Sequence, residues 1–109
     1  MTSLDDKPLF TIAVVAEILA VHPRTITLYE KVGFIVPFRT NTNRRRYSRN
    51  DLRRLFFIKY LSQEKNVNPA GIQLLLTALQ EAEKYQIDLK KLLFPEFKEE
   101  KILRDALSR

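Results

Sequence analysis

The sequence predicts a mainly α-helical chain, a winged helix-turn-helix followed by a short C-terminal helical segment. Three observations carry that expectation. Apolar residues recur at helical spacing at Ile12, Val15, Ala16 and Leu19, and again at Ile26 and Tyr29. Pro23 and Gly33 punctuate the chain so that both helices must be short and closely joined, the arrangement of a helix-turn-helix. Behind them, two extended-type runs flank a polar tip, which is the pattern of a small hairpin or wing. The 109 residues suffice for one domain.

Each element has its own signal. Residues 1–10 read as a short arm. Thr11 stands at a helix N-cap, and the first helix ends near Ala20, because Pro23 keeps His22 out of the α region. Pro23 suits the first turn of a second helix that runs to Lys31 and closes at Gly33. Residues 34–38 are β-branched and aromatic, residues 39–43 are turn-rich, and residues 44–47 are extended again. Ser48 and Asp51 form a capping box with Asp in the usual Glu/Gln place. They open a third helix with an apolar face of Leu52, Leu55, Phe56, Ile58 and Leu61, ending around Lys65. Asn68 and Pro69 are a further N-cap and first-turn pair.

After Gly71 neither Pro nor Gly interrupts the chain until Pro95, and a single long helix is expected. Ile72, Leu75, Leu79, Ala82, Gln86, Leu89 and Leu93 fall at alternating steps of three and four, three heptads with one polar residue in the seam. The stripe reads either as a core-facing band broken near Asp88 or as a dimer seam formed by Ile72, Leu75, Leu79, Leu89 and Leu93. So many large apolar groups on one helix favour sharing across a two-fold axis. Residues 97–107 look like a last amphipathic helix. The expected organisation is an arm at 1–10, a winged helix-turn-helix at 11–69 and a helical dimerisation segment at 70–109.

Composition removes several kinds of chemistry. Cysteine is absent and His22 is the only histidine, so disulfides, thiolate sites and imidazole-based metal catalysis are excluded and no cofactor is expected. Glu81, Glu83, Glu99 and Glu100 lie among lysines in a solvated-face pattern, and two glycines cannot build a phosphate-cradling loop. An enzyme is not expected. No apolar run approaches membrane-spanning length, and the acidic start lacks a signal-peptide apolar region, so a cytoplasmic, nucleoid-associated protein is expected.

Charge is the informative quantity. Residues 24–54 hold nine basic and two acidic residues, net +7, while the other 78 sum to −1. A concentrated basic face reads as a phosphate-binding footprint, so double-stranded DNA is the expected partner. On the second helix Ile26 and Tyr29 would face the core, leaving Arg24, Thr27, Leu28 and Lys31 outward. Arg24 can form a bidentate contact with guanine or with phosphate. Arg44, Arg45 and Arg46 are consecutive extended residues, so at most two share a face. Tyr47 could pack against a sugar or anchor the wing, the anchor being preferred.

The order VHPRTITLYEKVGFIVPFR, NRRRYS, an acidic helix start, then NVNPAGIQLLL resembles the winged DNA-binding domain of MerR-type transcription regulators over roughly residues 9–76. Its VHP, RRYS and NVNPAGI segments are most similar to the heat-shock-repressor branch. The resemblance implies a dimeric repressor on an inverted repeat, paired through the helix after the winged domain. It implies that Arg24, Thr27, Leu28, Arg39 and Arg45 touch DNA, that Tyr29 supports the helix, and that an Hsp70-type chaperone acts as co-regulator. Thr27 departs from the family's usual arginine, and Leu28 from its frequent tyrosine. That departure fits an alternative, a MerR-like interaction module that modulates a chaperone or J-domain protein without binding DNA; the +7 window opposes it.

Overall fold

The computed structural model describes residues 3–109. Helix α1 (Ile12–Leu19) starts where the Thr11 side chain accepts from the Val14 N–H at 3.3 Å. It stops at Ala20, whose φ of 57° is left-handed. Helix α2 (Pro23–Lys31) is capped by His22, whose Nδ1 accepts from the Arg24 N–H at 3.0 Å. Gly33 at φ 83° turns the chain, and the Phe34 N–H reaches back to the Tyr29 carbonyl at 2.9 Å. The two axes bend by 106°, the angle a helix-turn-helix requires.

The wing is small. Strands β1 (Phe38–Arg39) and β2 (Arg45–Arg46) pair antiparallel, with Phe38 opposite Arg46 and Arg39 opposite Arg45. Residues 34–37, expected to be extended, lie outside the paired strand, with Phe34, Ile35 and Pro37 buried. The arm is not separate from the wing. The Phe10 and Tyr47 backbones exchange hydrogen bonds at 2.9 and 2.8 Å, and Asn50 donates to Asp6 at 2.7 Å. The described arm residues therefore belong to the domain.

Helix α3 (Arg49–Gln63) opens on the Ser48–Asp51 capping box and forms the centre of the molecule. Leu52, Leu55, Ile58 and Leu61 are buried as expected; Phe57, on no expected stripe, is buried too, and Phe56 is half-buried. Phe57 turns inward because the later helices fold back over that side. Its ring lies 5.6 Å from Phe94 and 5.4 Å from Phe97, and Tyr60 lies 4.8 Å from Phe97.

The long C-terminal helix does not exist. Helix α4 (Pro69–Glu83), capped by Asn68, ends at a turn in which Gln86 takes φ 58° and the Ile87 N–H bonds back to the Ala82 carbonyl at 3.1 Å. A short helix α5 (Leu89–Leu93) restarts under the Asp88 cap, and α6 (Glu99–Leu107) follows. The break at Gln86 interrupts the heptads, so no continuous seam forms. Ile72 lies in the protomer's own core at 2% exposure and is not available to a partner. Leu75 and Leu79 pack against that core, Leu89 is half-buried, and of the expected seam only Leu93 is exposed. Helix α6 returns against α3 and α1 with Leu103 and Ala106 buried, so residues 97–107 pack on the winged helices. Among the described residues no single helix is long and apolar enough to cross a membrane.

Candidate nucleic-acid interface

Helix α2 has two faces because Ile26 and Tyr29 are three residues apart and both are buried. Arg24, Leu28 and Lys31 are consequently exposed, Leu28 at 56%. Thr27 is half-buried, and its hydroxyl donates to the Pro23 carbonyl at 3.4 Å, a bond internal to the helix. Its hydroxyl is therefore already engaged.

The wing arginines differ from one another. At the tip, the Thr40 N–H donates to the Arg44 carbonyl at 2.9 Å while Asn43, at φ 62°, makes the turn; the Arg44 side chain is exposed. Arg46 is half-buried and donates to the Arg45 carbonyl at 2.9 Å. Arg39 and Arg45 are drawn together by a residue that the sequence reading passed over. Glu30 accepts from Arg39 Nη2 at 2.8 Å and from Arg45 Nε at 2.5 Å. A carboxylate inside a basic stretch, near the C-terminal end of a helix where the dipole disfavours it, was the available signal.

Tyr47 is corrected. Its ring is fully buried, its hydroxyl has no hydrogen-bond partner among the described residues, and it cannot touch DNA. Burial above all, with the Glu30 charge second, pushes the phenol up to about 12. It sits beneath the wing as a tether.

The basic window also overstates the surface charge. Arg53 bonds Glu100 through Nε at 2.8 Å and lies 3.2 Å from Asp5, joining arm, α3 and α6. Arg54 donates to the Phe34 carbonyl at 2.5 Å, and desolvation lowers its pKa. The free basic groups of this face are those of Arg24, Lys31 and Arg44, with Arg39 and Arg45 held beside them.

A bent helix pair, a two-stranded wing locked to its second helix and an outward basic face define a winged helix-turn-helix protein. Residues 10–79 match the family described as MerR HTH family regulatory protein, and the chain belongs to that family. It is 38% identical over 69 residues to the putative heat shock protein HspR of Streptomyces coelicolor, covering 63% of this chain and 46% of that protein. It is 37% identical over 103 residues to the HTH-type transcriptional regulator GlnR of Bacillus anthracis, covering 92% of this chain and 78% of that one. GlnR of Bacillus cereus matches to the same extent. The chain thus spans less than half the length of the HspR relative, and the GlnR similarity continues past the winged domain.

Proposed function

We propose that this chain is a sequence-specific DNA-binding transcription regulator, a repressor that reads an inverted repeat as a homodimer. The observation that carries the reading is the joined basic face. Arg24 and Lys31 on α2 and Arg44 and Arg45 on the wing belong to two elements fastened together by one carboxylate. In this reading α2 enters the major groove and the wing follows the flanking backbone. Leu28 supplies an apolar contact for a thymine methyl, while Thr27 adds no charge. The relatives named as a heat shock protein and a transcriptional regulator support regulation of genes. An Hsp70-type co-regulator follows only from the heat-shock resemblance, and co-purification with such a chaperone checks it.

For the homodimer, the large apolar groups left exposed on α4, α5 and the turn between them are Leu74, Tyr85, Ile87, Leu92 and Leu93, of which only Leu93 belongs to the expected seam. Pairing through α4 and α5 would cover them. Light scattering of the wild type, and of Leu74→Glu with Leu92→Glu, tests it: a dimer that the double variant converts to a monomer is expected. A wild-type monomer, or an undisturbed dimer in the variant, overturns the arrangement.

The DNA reading is tested by selecting bound duplexes from a random pool and measuring affinity against salt. Enrichment of a repeated half-site, with affinity falling steeply between about 50 and 200 mM salt, is expected. Arg45→Ala should weaken binding by about 1–3 kcal/mol, and Lys84→Ala, on the opposite half of the chain, should be near neutral. Absence of any enriched duplex, or equal effects of the two substitutions, counts against it.

A further inference from the structure

Arg39 and Arg45 are Cα partners across the two-stranded wing, so two guanidinium groups stand side by side on one small hairpin. Like charges placed directly opposite each other push strands apart. Glu30 removes that conflict. Its carboxylate keeps only 19% exposure and receives one arginine on each oxygen. The two arginines are used unequally. Arg39 has Nη2 on Glu30 and Nη1 directed to the Asn43 carbonyl at 3.4 Å, so both ends of its fork are engaged inside the protein. Arg45 gives Glu30 only its Nε, which leaves Nη1 and Nη2 without a hydrogen bond among the described residues. Those two nitrogens form one edge of a planar fork, the edge that matches phosphate or the guanine O6 and N7 pair.

From this geometry we infer that Glu30 is a specificity-determining positioning residue: it holds the Arg45 fork at a fixed place and angle relative to α2, so that helix and wing read DNA as one rigid unit. The inference rests on the DNA-binding reading and deepens it. Fixing a long side chain before contact removes the rotamer entropy that binding would otherwise have to overcome. It also ties the wing's register to the groove position of Arg24 and Lys31, since Glu30 is itself a residue of α2. Buried beneath the pair, Tyr47 supports the same arrangement from inside.

The idea makes an expectation opposite in sign to simple electrostatics. Glu30 is an acid on a face meant for a polyanion and lies near the C-terminal end of α2. On charge alone Glu30→Gln should strengthen binding to every duplex and relieve the helix dipole. If Glu30 positions Arg45, Glu30→Gln should instead lose at least about tenfold in preference for the selected duplex over an unrelated one. Its affinity for the unrelated duplex should hold or rise.

Fluorescence anisotropy with those two duplexes measures the ratio directly, with thermal unfolding recorded in parallel. Arg45→Lys provides the second variant, because it keeps the charge and removes the fork. It should lose selectivity to a similar degree, and adding Glu30→Gln to it should cost little more, since both break the same unit. Selectivity unchanged or improved in Glu30→Gln, or full additivity of the two substitutions, overturns the inference while leaving DNA binding intact. A wild type that prefers no duplex overturns the DNA-binding reading and this inference with it.

Discussion

Residues 12–47 and residues 69–93 both contain helices that stop beside a left-handed residue, Ala20 and Gly33 in the first and Gln86 in the second, yet they differ in the charge they turn toward solvent. The winged half exposes Arg24, Lys31 and Arg44 around Leu28, with Val36 and Phe38 also exposed before and on the first wing strand. The C-terminal half exposes Leu74 at 71%, Tyr85 at 76% and Leu92 at 70%. The winged half is also braced from behind. Lys59 donates to the Leu19 carbonyl at 2.5 Å and Arg54 to that of Phe34, so α3 satisfies a carbonyl left open where α1 ends and braces the chain just after α2. The five-residue α5 leans on its Asp88 cap and on the Lys90–Glu99 pair at 2.5 Å. The difference fits the proposed division of tasks: a braced surface with concentrated basic charge suits a polyanion, and the apolar groups of α4 and α5 suit a protein partner.

The largest effect that probes this division lies within one helix. Ile72 and Leu74 are two residues apart on α4, one at 2% and the other at 71% exposure. Ile72→Ala should cost about 2–5 kcal/mol in urea unfolding through the cavity it leaves. At protein concentrations too low for pairing, Leu74→Ala should stay within about 0.5 kcal/mol. Comparable losses at the two positions would mean that α4 has no free side and that the comparison is wrong.

The same helix shows where sequence reading works. In the winged half almost every boundary coincides with a residue whose backbone or side chain dictates it locally: Thr11 and Ser48 as caps, Pro23 at a first turn, Gly33 left-handed. Those signals need no knowledge of the rest of the fold, so the outward set on α2 was legible. In the C-terminal half the break falls on Gln86, which carries no such signal; only Asp88, the cap of α5, hinted at it, against an unbroken three-four spacing. Leu75 and Leu79 keep that spacing because they pack on their own core, and periodicity cannot distinguish one protein's core from two proteins' seam. Phe57 and Glu30 escaped for a related reason. Their partners, Phe94 and Phe97 for one and Arg39 and Arg45 for the other, come from elsewhere in the chain.

A middle-sized effect separates bracing arginines from reading ones. Arg54→Ala removes a charged donor from the carbonyl of buried Phe34 and should destabilise the fold by about 1–3 kcal/mol. Its preference between selected and unrelated duplexes should not change. Arg45→Ala should behave the other way round, stable and poorly selective. If Arg54→Ala reduced selectivity as much as Arg45→Ala at a temperature where both are folded, the whole basic window would act as one surface, and the distinction drawn from the hydrogen bonds would fail.

The smallest effect is the most diagnostic, because its sign depends on which structure is present. In a continuous helix through residues 72–94, glycine at Gln86 would sit mid-helix and destabilise by about 0.5–1 kcal/mol relative to a good helix former. In the observed turn Gln86 takes φ 58°, a conformation that costs a residue with a Cβ about 1–2 kcal/mol and costs glycine almost nothing. Glycine also adds freedom to the unfolded chain, which offsets about 0.4–1 kcal/mol of that gain. The exposed Gln86 side chain sacrifices little packing when it is removed. The balance for Gln86→Gly is a stabilisation of about 0.5 kcal/mol, read as an upward shift in the urea midpoint at unchanged slope. Gln86→Pro sharpens the test. Proline fixes φ near −65°, so it cannot adopt the left-handed turn, and it should destabilise far more than the glycine variant helps. A lower midpoint for Gln86→Gly would restore the continuous helix, and with it the shared seam of Ile72, Leu79 and Leu93 that the break at Gln86 rules out.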